Sequence, residues 1–308
     1  MEQNTDRMYW TIGLIVIGGL LLLGALGLVH ADMLPMAKGR ITTITKDKEG
    51  GSNPDAPNET DPKWIVKENY GKNGRFIMDK DGVAIVYAIN NKKPILIDNK
   101  VPEQTKKNEK ITSLSYINNI VLKGDMVSFF DGNINVKEIN GLNKFDTAQV
   151  TNMAYMFQSN SALKSVDLSS FDTGLVNDFL HMDDPEWGSG APFERGFRQM
   201  FSDCSSLTSL DISMFDSSNV TFFSGMFSNC SNLTDLNISN LNLSRARSVV
   251  YLFAELDKLK NVTMTNTKPM DSKDTPGESF AYSVDPNVKS LLMSQLVPNG
   301  YRDTDWGD

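Results

Sequence analysis

The chain has 308 residues, a formal net charge of −8, two cysteines and two histidines. That length suits one or two compact units with appendages. The acidic balance argues against a nucleic-acid-binding domain, which would show a basic face, and suits a soluble, self-repelling exterior.

The chain opens on an apolar stretch. Ile12–Val29 is uninterrupted by charge over eighteen residues. As a helix it would span about 27 Å, close to a hydrocarbon core of roughly 30 Å. Two readings of residues 1–31 compete: an uncleaved membrane anchor, and a signal peptide cleaved after Ala31, where Val29-His30-Ala31 offers small residues at the −3 and −1 positions. The run is long for a signal peptide and the preceding Glu2, Asp6 and Arg7 are not net positive, which favours the anchor. Orientation is contested. Lys38, Arg40, Lys46 and Lys48 follow the run and only Arg7 precedes it, which by the positive-inside rule keeps the following chain in the cytoplasm.

Residues 32–63 read as a juxtamembrane segment and flexible linker, since DKEGGSNPDAPNETDPK at 47–63 is rich in Gly, Pro, Asn and Asp. Residues 64–110 read as a small β-rich capping region. Val83–Ile89 and Pro94–Asp98 are short apolar runs bounded by turn residues, and Arg75–Met78 is a third candidate strand. Such a unit would shield the open end of a stack of coils; an independent binding domain is the other reading.

A stack of coils is what residues 111–265 spell out. FDTAQVTNMAYMF at 145–157 returns as FDSSNVTFFSGMF at 215–227. Met156-Phe157, Met200-Phe201, Met226-Phe227 and Leu252-Phe253 hold one position; the last two steps between them are equal and the first is longer. Phe145, Phe171, Phe215 and Leu241 hold another in the same rhythm, so the long step is one ordinary unit carrying an insertion. Met126, Phe129, Phe130, Val136, Ile139 and Leu142 form an atypical first unit. In each unit a half with apolar positions at i, i+3, i+6 and i+7 (Val150, Met153, Met156, Phe157) predicts a short helix. An alternating half (Leu210-Asp211-Ile212, Leu236-Asn237-Ile238) predicts a short strand pairing in parallel with the next coil about 4.8 Å away. Asp146-Thr147, Asp172-Thr173 and Asp216-Ser217 suit caps and turns. The expected fold is an α/β solenoid, a right-handed leucine-rich-repeat-like coil of about 26 residues with a β-rich N-terminal cap.

The combination of FDT-x-x-VTNM-x-x-MF, a Cys-Ser-x-Leu step and LDIS at this period resembles the BspA-like leucine-rich-repeat surface proteins of bacteria. The resemblance implies a secreted or cell-surface protein of a family associated with adhesion and host-protein binding. It implies no single ligand and supplies no catalytic residue.

The inserted segment, at about 177–196, is expected to loop out on one face, often the binding face of a repeat protein. It contains His181, Asp183, Asp184, Glu186, Trp187 and Phe193, contact chemistry of the kind found at interfaces. The other reading is a tolerated surface loop with Trp187 tucked back. Asp183, Asp184 and Glu186 lack the twelve-residue spacing of an EF-hand, so no metal is expected. No nucleophile elbow, phosphate loop or zinc signature occurs, so neither catalysis nor a cofactor is expected. Cys204 and Cys230 stand one unit apart, as two buried thiols or, given stacking, a bridge. The aligned Asp167, Asp211, Asn237 and Thr263 form either hydrogen-bonded ladders or a recognition strip.

Residues 266–308 read as a C-terminal cap. Asp285 is the N-cap, Pro286 the first helical residue, and Val288, Leu291, Leu292 and Leu296 the apolar face. The sequence thus points to a bacterial cell-surface module, membrane-anchored by its N-terminal helix, binding host extracellular or bacterial envelope proteins or glycans. A membrane-tethered scaffold is the alternative, and a surface hydrolase a remote one.

Overall fold

The computed structural model describes residues 53–177, 195–271 and 280–297. The chain divides into two units, Met1–Ser52 and Asn53–Asp308, and every described residue belongs to the second. That unit is a β-solenoid of about six turns with little helix.

Among the described residues three sheets run along it. β1 (Trp64–Asn69), β2 (Gly74–Asp79) and β3 (Val83–Ala88) are antiparallel neighbours; β5 (Ser113–Tyr116) and β7 (Ile139–Asn140) extend that sheet in parallel from β3. β4 (Ile95–Asp98), β6 (Ile120–Asp125) and β8 (Phe145–Asn152) form a second, parallel sheet. β9 (Ser209–Asp211), β10 (Asp235–Asn237) and β11 (Asn261–Thr263) form the third, with Leu210, Leu236 and Val262 in one register. The expected parallel pairing of the alternating halves is therefore present. β3 and β4 already sit in the parallel ladders, so the segment before the repeats contributes the first coil-like layer as well as an antiparallel edge.

The other half of each coil is not helical. Val150, Met153, Met156 and Phe157 are buried as expected, but Met156 and Phe157 lie on a run of turns, Met153 just before it and Val150 on β8. The backbone hydrogen bonds say why. The N–H groups of Tyr155, Phe157 and Ser159 donate across to the carbonyls of Arg198, Met200 and Ser202 in the next coil. Those of Met156 and Gln158 donate back three residues, to Met153 and Tyr155. Alternate donors leave the coil, so no i to i−4 ladder can form. The repeated step of three in the apolar spacing reports this geometry, not a 3.6-residue helix.

The alternation requires left-handed residues. Ser128, Tyr155, Gln199, Gly225 and Tyr251 all have positive φ, as do Gly132, Ser159, Asp203, Asn229 and Glu255 further along each coil. Only one residue in each set is glycine, so most coils hold a strained L-residue there.

Inside, one phenylalanine per coil forms a spine. Phe130, Phe157, Phe201, Phe227 and Phe253 stack with centroids 5.1, 5.5, 6.2 and 5.5 Å apart, with interplanar angles of 22° or less. Phe280 ends the stack edge-on at 81°. The remaining expected core residues, Phe145, Met156, Phe171, Met200, Phe215, Met226 and Leu252, are all buried.

At the far end α1 (Pro286–Leu296) follows the expected pattern, with Asp285 accepting from the N–H groups of Asn287 and Val288. Its buried face is Val288, Leu292 and Leu296; Leu291, expected on it, is 42% exposed because it lies a full residue step off the stripe. At the near end, residues 53–63, expected as the end of a flexible spacer, instead turn against the sheet. Asn53 is buried and donates to the Ala88 carbonyl and to Asn118, and Glu59 clamps Arg75. Among the described residues no helix is long and apolar enough to cross a membrane. The candidate span at 12–29 lies outside the described residues.

Phe201→Ala, which interrupts the spine at its centre, is expected to cost about 3–5 kcal/mol in chemical denaturation. Ser159→Gly relieves a left-handed L-residue and is expected to raise stability by roughly 0.5 kcal/mol, the strain released exceeding the chain entropy added; a lower denaturation midpoint would contradict this.

Candidate functional site

The six residues expected to bind, His181, Asp183, Asp184, Glu186, Trp187 and Phe193, lie outside the described residues. What the structure places is their base. Asn177 donates its N–H to the Thr151 carbonyl, and Met153 donates to the Gly196 carbonyl. Both ends of the insertion are therefore held against the same stretch of the preceding coil. Phe157 and Phe201, which flank the insertion, stack at 5.5 Å, the same spacing as Phe227 and Phe253 in consecutive ordinary coils. The spine is therefore uninterrupted there.

The sides of the solenoid are lined by ladders that join coil to coil. Thr147 donates its hydroxyl to the Asp172 carbonyl and accepts from the Asp172 N–H; Thr173 does the same with Asp216, and Ser217 with Asn242. All three side chains are buried, and each meets both requirements of the next coil's backbone. Asp146, Asp172, Asp216 and Asn242 beside them accept from the N–H two residues on, the expected turn role. On the β9–β11 face Asn237 donates to Asp211, and Asn261 to Asp235. Of the aligned residues Asp167, Asp211, Asn237 and Thr263, Asp211 and Asn237 thus form a rung between coils, whereas Asp167 accepts from the Ser169 N–H of its own coil. Hydrogen bonds from Ser169 hold the Asp167 carboxyl below its usual range. Partial burial pushes Asp211 the other way, but the hydrogen bonds from Ser213 and Asn237 prevail and lower it.

A second ladder explains the cysteines. Asn133, Asn160, Cys204 and Cys230 occupy one inward corner. Asn160 donates to the Phe130 carbonyl, Cys204 Sγ to the Phe157 carbonyl at 3.1 Å, and Cys230 Sγ to the Phe201 carbonyl at 3.1 Å. Both thiols are free and buried. Burial pushes Cys204 up to about 12 and Cys230 well above the ordinary thiol value. They are weak hydrogen-bond donors to the core backbone and poor nucleophiles.

Sequence reasoning missed a groove at the near end, about 460 Å³, lined by Gly71, Lys72, Leu96, Asp98, Lys100 and Pro102 among others. The edge strand β4 forms one wall, where Leu96 and Lys72 exchange backbone hydrogen bonds. Gly71 has φ +57°, and a Cβ there would clash with Ile97 Cδ1, so only glycine lets the chain pass this close. Positive φ at Gly71 leaves no trace in apolar periodicity, which is why the groove was not legible. Nearby, Arg75 donates to both Glu59 oxygens, at 3.1 and 2.7 Å, and Tyr87 donates to the same carboxylate. The hydrogen bonds from Arg75 are the main reason the Glu59 carboxyl titrates below its usual range. Among the described residues no group of three or more His, Cys, Asp or Glu is arranged to hold a metal.

A protein-family comparison matches residues 103–184 and 195–272 to the family described as "Mycoplasma protein of unknown function, DUF285". The two matched segments together cover just over half of the chain. The chain belongs to this family. The match covers the coils in two segments separated within the insertion, and so supports a repeat family. No curated protein and no solved structure matches significantly.

The buried corner and the clamp can each be probed. Native protein should leave both cysteines unlabelled by a thiol reagent at neutral pH and yield two thiols per chain after denaturation; rapid native labelling would contradict their burial. The folded Glu59 carboxyl is lowered, so its contribution is present above the ordinary value of 4.5 and lost as pH falls through the folded value. Glu59→Gln should therefore destabilise the protein at neutral pH and flatten the acid limb of its stability curve, whereas an unchanged acid limb would show the clamp to be inert.

Proposed function

We propose that this chain is a binding module: a repeat solenoid of the leucine-rich-repeat-like, BspA-like kind, working at a bacterial cell surface as an adhesive or protein-binding face. The observation that supports this most is the stack itself. One Phe per coil, one hydroxyl ladder and one Asn/Cys ladder hold each coil in register. Equivalent side chains are therefore presented outward at a fixed interval, which suits recognition of an extended partner. The resemblance of the repeat phrase to surface proteins points the same way, and the apolar run at 12–29 would supply the tether. Partners would be host extracellular or bacterial envelope proteins or glycans, held non-covalently. The insertion, with Trp187 and its acidic neighbours, would add the contacts particular to this member.

A membrane-tethered scaffold inside the cell is the second reading. The basic residues Lys38, Arg40, Lys46 and Lys48 after the apolar run favour it. Protease treatment of intact cells separates the two: the surface reading expects the coils to be digested without lysis, and full protection until lysis would overturn it. On the surface reading, deleting 179–194 should leave the thermal transition in place and weaken binding to the ligand found by screening matrix and envelope components. Unchanged affinity would remove the insertion from the site.

A further inference from the structure

Four of the chain's eight arginines, Arg195, Arg198, Arg245 and Arg247, come from two short stretches that the coil register brings to one side of the solenoid. The hydrogen bonds fix this. Phe197 donates to the Phe222 carbonyl, Arg247 to the Thr221 carbonyl, and Phe222 bridges to Ser248 in parallel. Arg195, Thr221 and Arg247 are thus the same position in three successive coils. Two coil steps of about 4.8 Å place the Arg195 and Arg247 backbones roughly 10 Å apart. Arg247 is exposed, and Thr221 between them is only 9% exposed. Arg245, just before it in the chain, reaches Asn219 Oδ1 at 3.5 Å. Arg198 holds its Nε buried with no hydrogen-bond partner among the described residues. An acidic chain thus sets four of its eight arginines on one stretch of successive coils and leaves the buried Arg198 Nε unsatisfied. Four residues along the chain from Arg247, Tyr251 is 47% exposed, and Gln199 and the left-handed Gly225 hold the same place in the two preceding coils, with Gln199 Cγ close against Gly225.

We infer that this face binds a sulfated polysaccharide. Guanidinium groups take sulfate oxygens by paired, charge-assisted hydrogen bonds. Their repetition two coils apart suits a polymer with recurring oxyanions better than a single small anion. Tyr251 offers an aromatic face and Gln199 an amide to the sugar rings between sulfates. A single polysaccharide strand can stay within this face. A nucleic-acid duplex is wider, and its outer phosphates would meet repulsion from the acidic remainder of a chain of net charge −8. The inference deepens the binding-module reading by naming a ligand class, but it stands on the arginine geometry whether or not the protein reaches the cell surface.

The test uses the full chain and immobilised heparin, with polyphosphate and neutral dextran as competitors. Expected are binding that weakens steeply with salt, competition by free heparin but not by dextran, and a loss of about tenfold or more in Arg195→Gln/Arg247→Gln, two charge-assisted contacts being removed. Tyr251→Ser should weaken heparin binding and leave the weaker polyphosphate binding unchanged. Circular dichroism and the thermal transition should show both variants folded. The inference is overturned if wild-type protein does not bind heparin, if the double variant binds as wild type, or if polyphosphate competes as well as heparin. Failure here with coils still digested on intact cells leaves the surface reading standing; heparin binding with protected coils does the reverse.

Discussion

The structure depends on one constraint: each coil must offer its backbone donors and acceptors to the next coil at the same places. The alternate N–H groups of Tyr155, Phe157 and Ser159 leave their own coil for the one above. That single requirement sets the left-handed residues, fixes the spacing of three along the turns, and brings the Phe rings into van der Waals stacking. It also determines which polar residues are tolerated inside. Thr147, Thr173 and Ser217 are buried because a hydroxyl both donates and accepts, and a backbone segment that crosses the stack needs both. Asn160 and Cys204 are buried because each can donate to a Phe carbonyl that would otherwise face the core.

The same constraint explains which parts of the fold are legible in sequence. The buried positions were readable because burial depends on the period, and the period survives in Met156, Met200, Met226 and Leu252. Strand pairing was readable for the same reason: Leu210, Leu236 and Val262 share a register. The conformation of the turns was not. Apolar residues at i and i+3 satisfy a helix or a succession of turns equally, and the difference lies in the destination of N–H groups that no side chain reports. Nor does composition show that the Gly/Pro/Asn-rich stretch is ordered from Asn53 onward; Asn53 and Glu59 are fixed by partners 35 and 16 residues away. The arginine face is a middle case. Its members come from separate coils and look scattered until the coil register is applied.

The candidate surface follows from this division between inside and outside. Ladder residues such as Asp211 and Asn237 are committed to one another and hold the coils together. The ligand chemistry proposed above lies elsewhere, around Arg195, where the insertion meets the stack, and around Arg247 two coils on. Departures from the repeat are thus the places where this chain differs from an idealised coil.

Asn177 and Gly196 are pinned to the same neighbouring coil, so the ends of the excursion between them are already brought together by the ladder. Closing a longer excursion from such a root costs only about 0.6 kcal/mol for each doubling of its length. The solenoid therefore contains a socket. Segments of very different length and chemistry can be exchanged there while the spine beneath them, from Phe130 to Phe253, keeps its stacking.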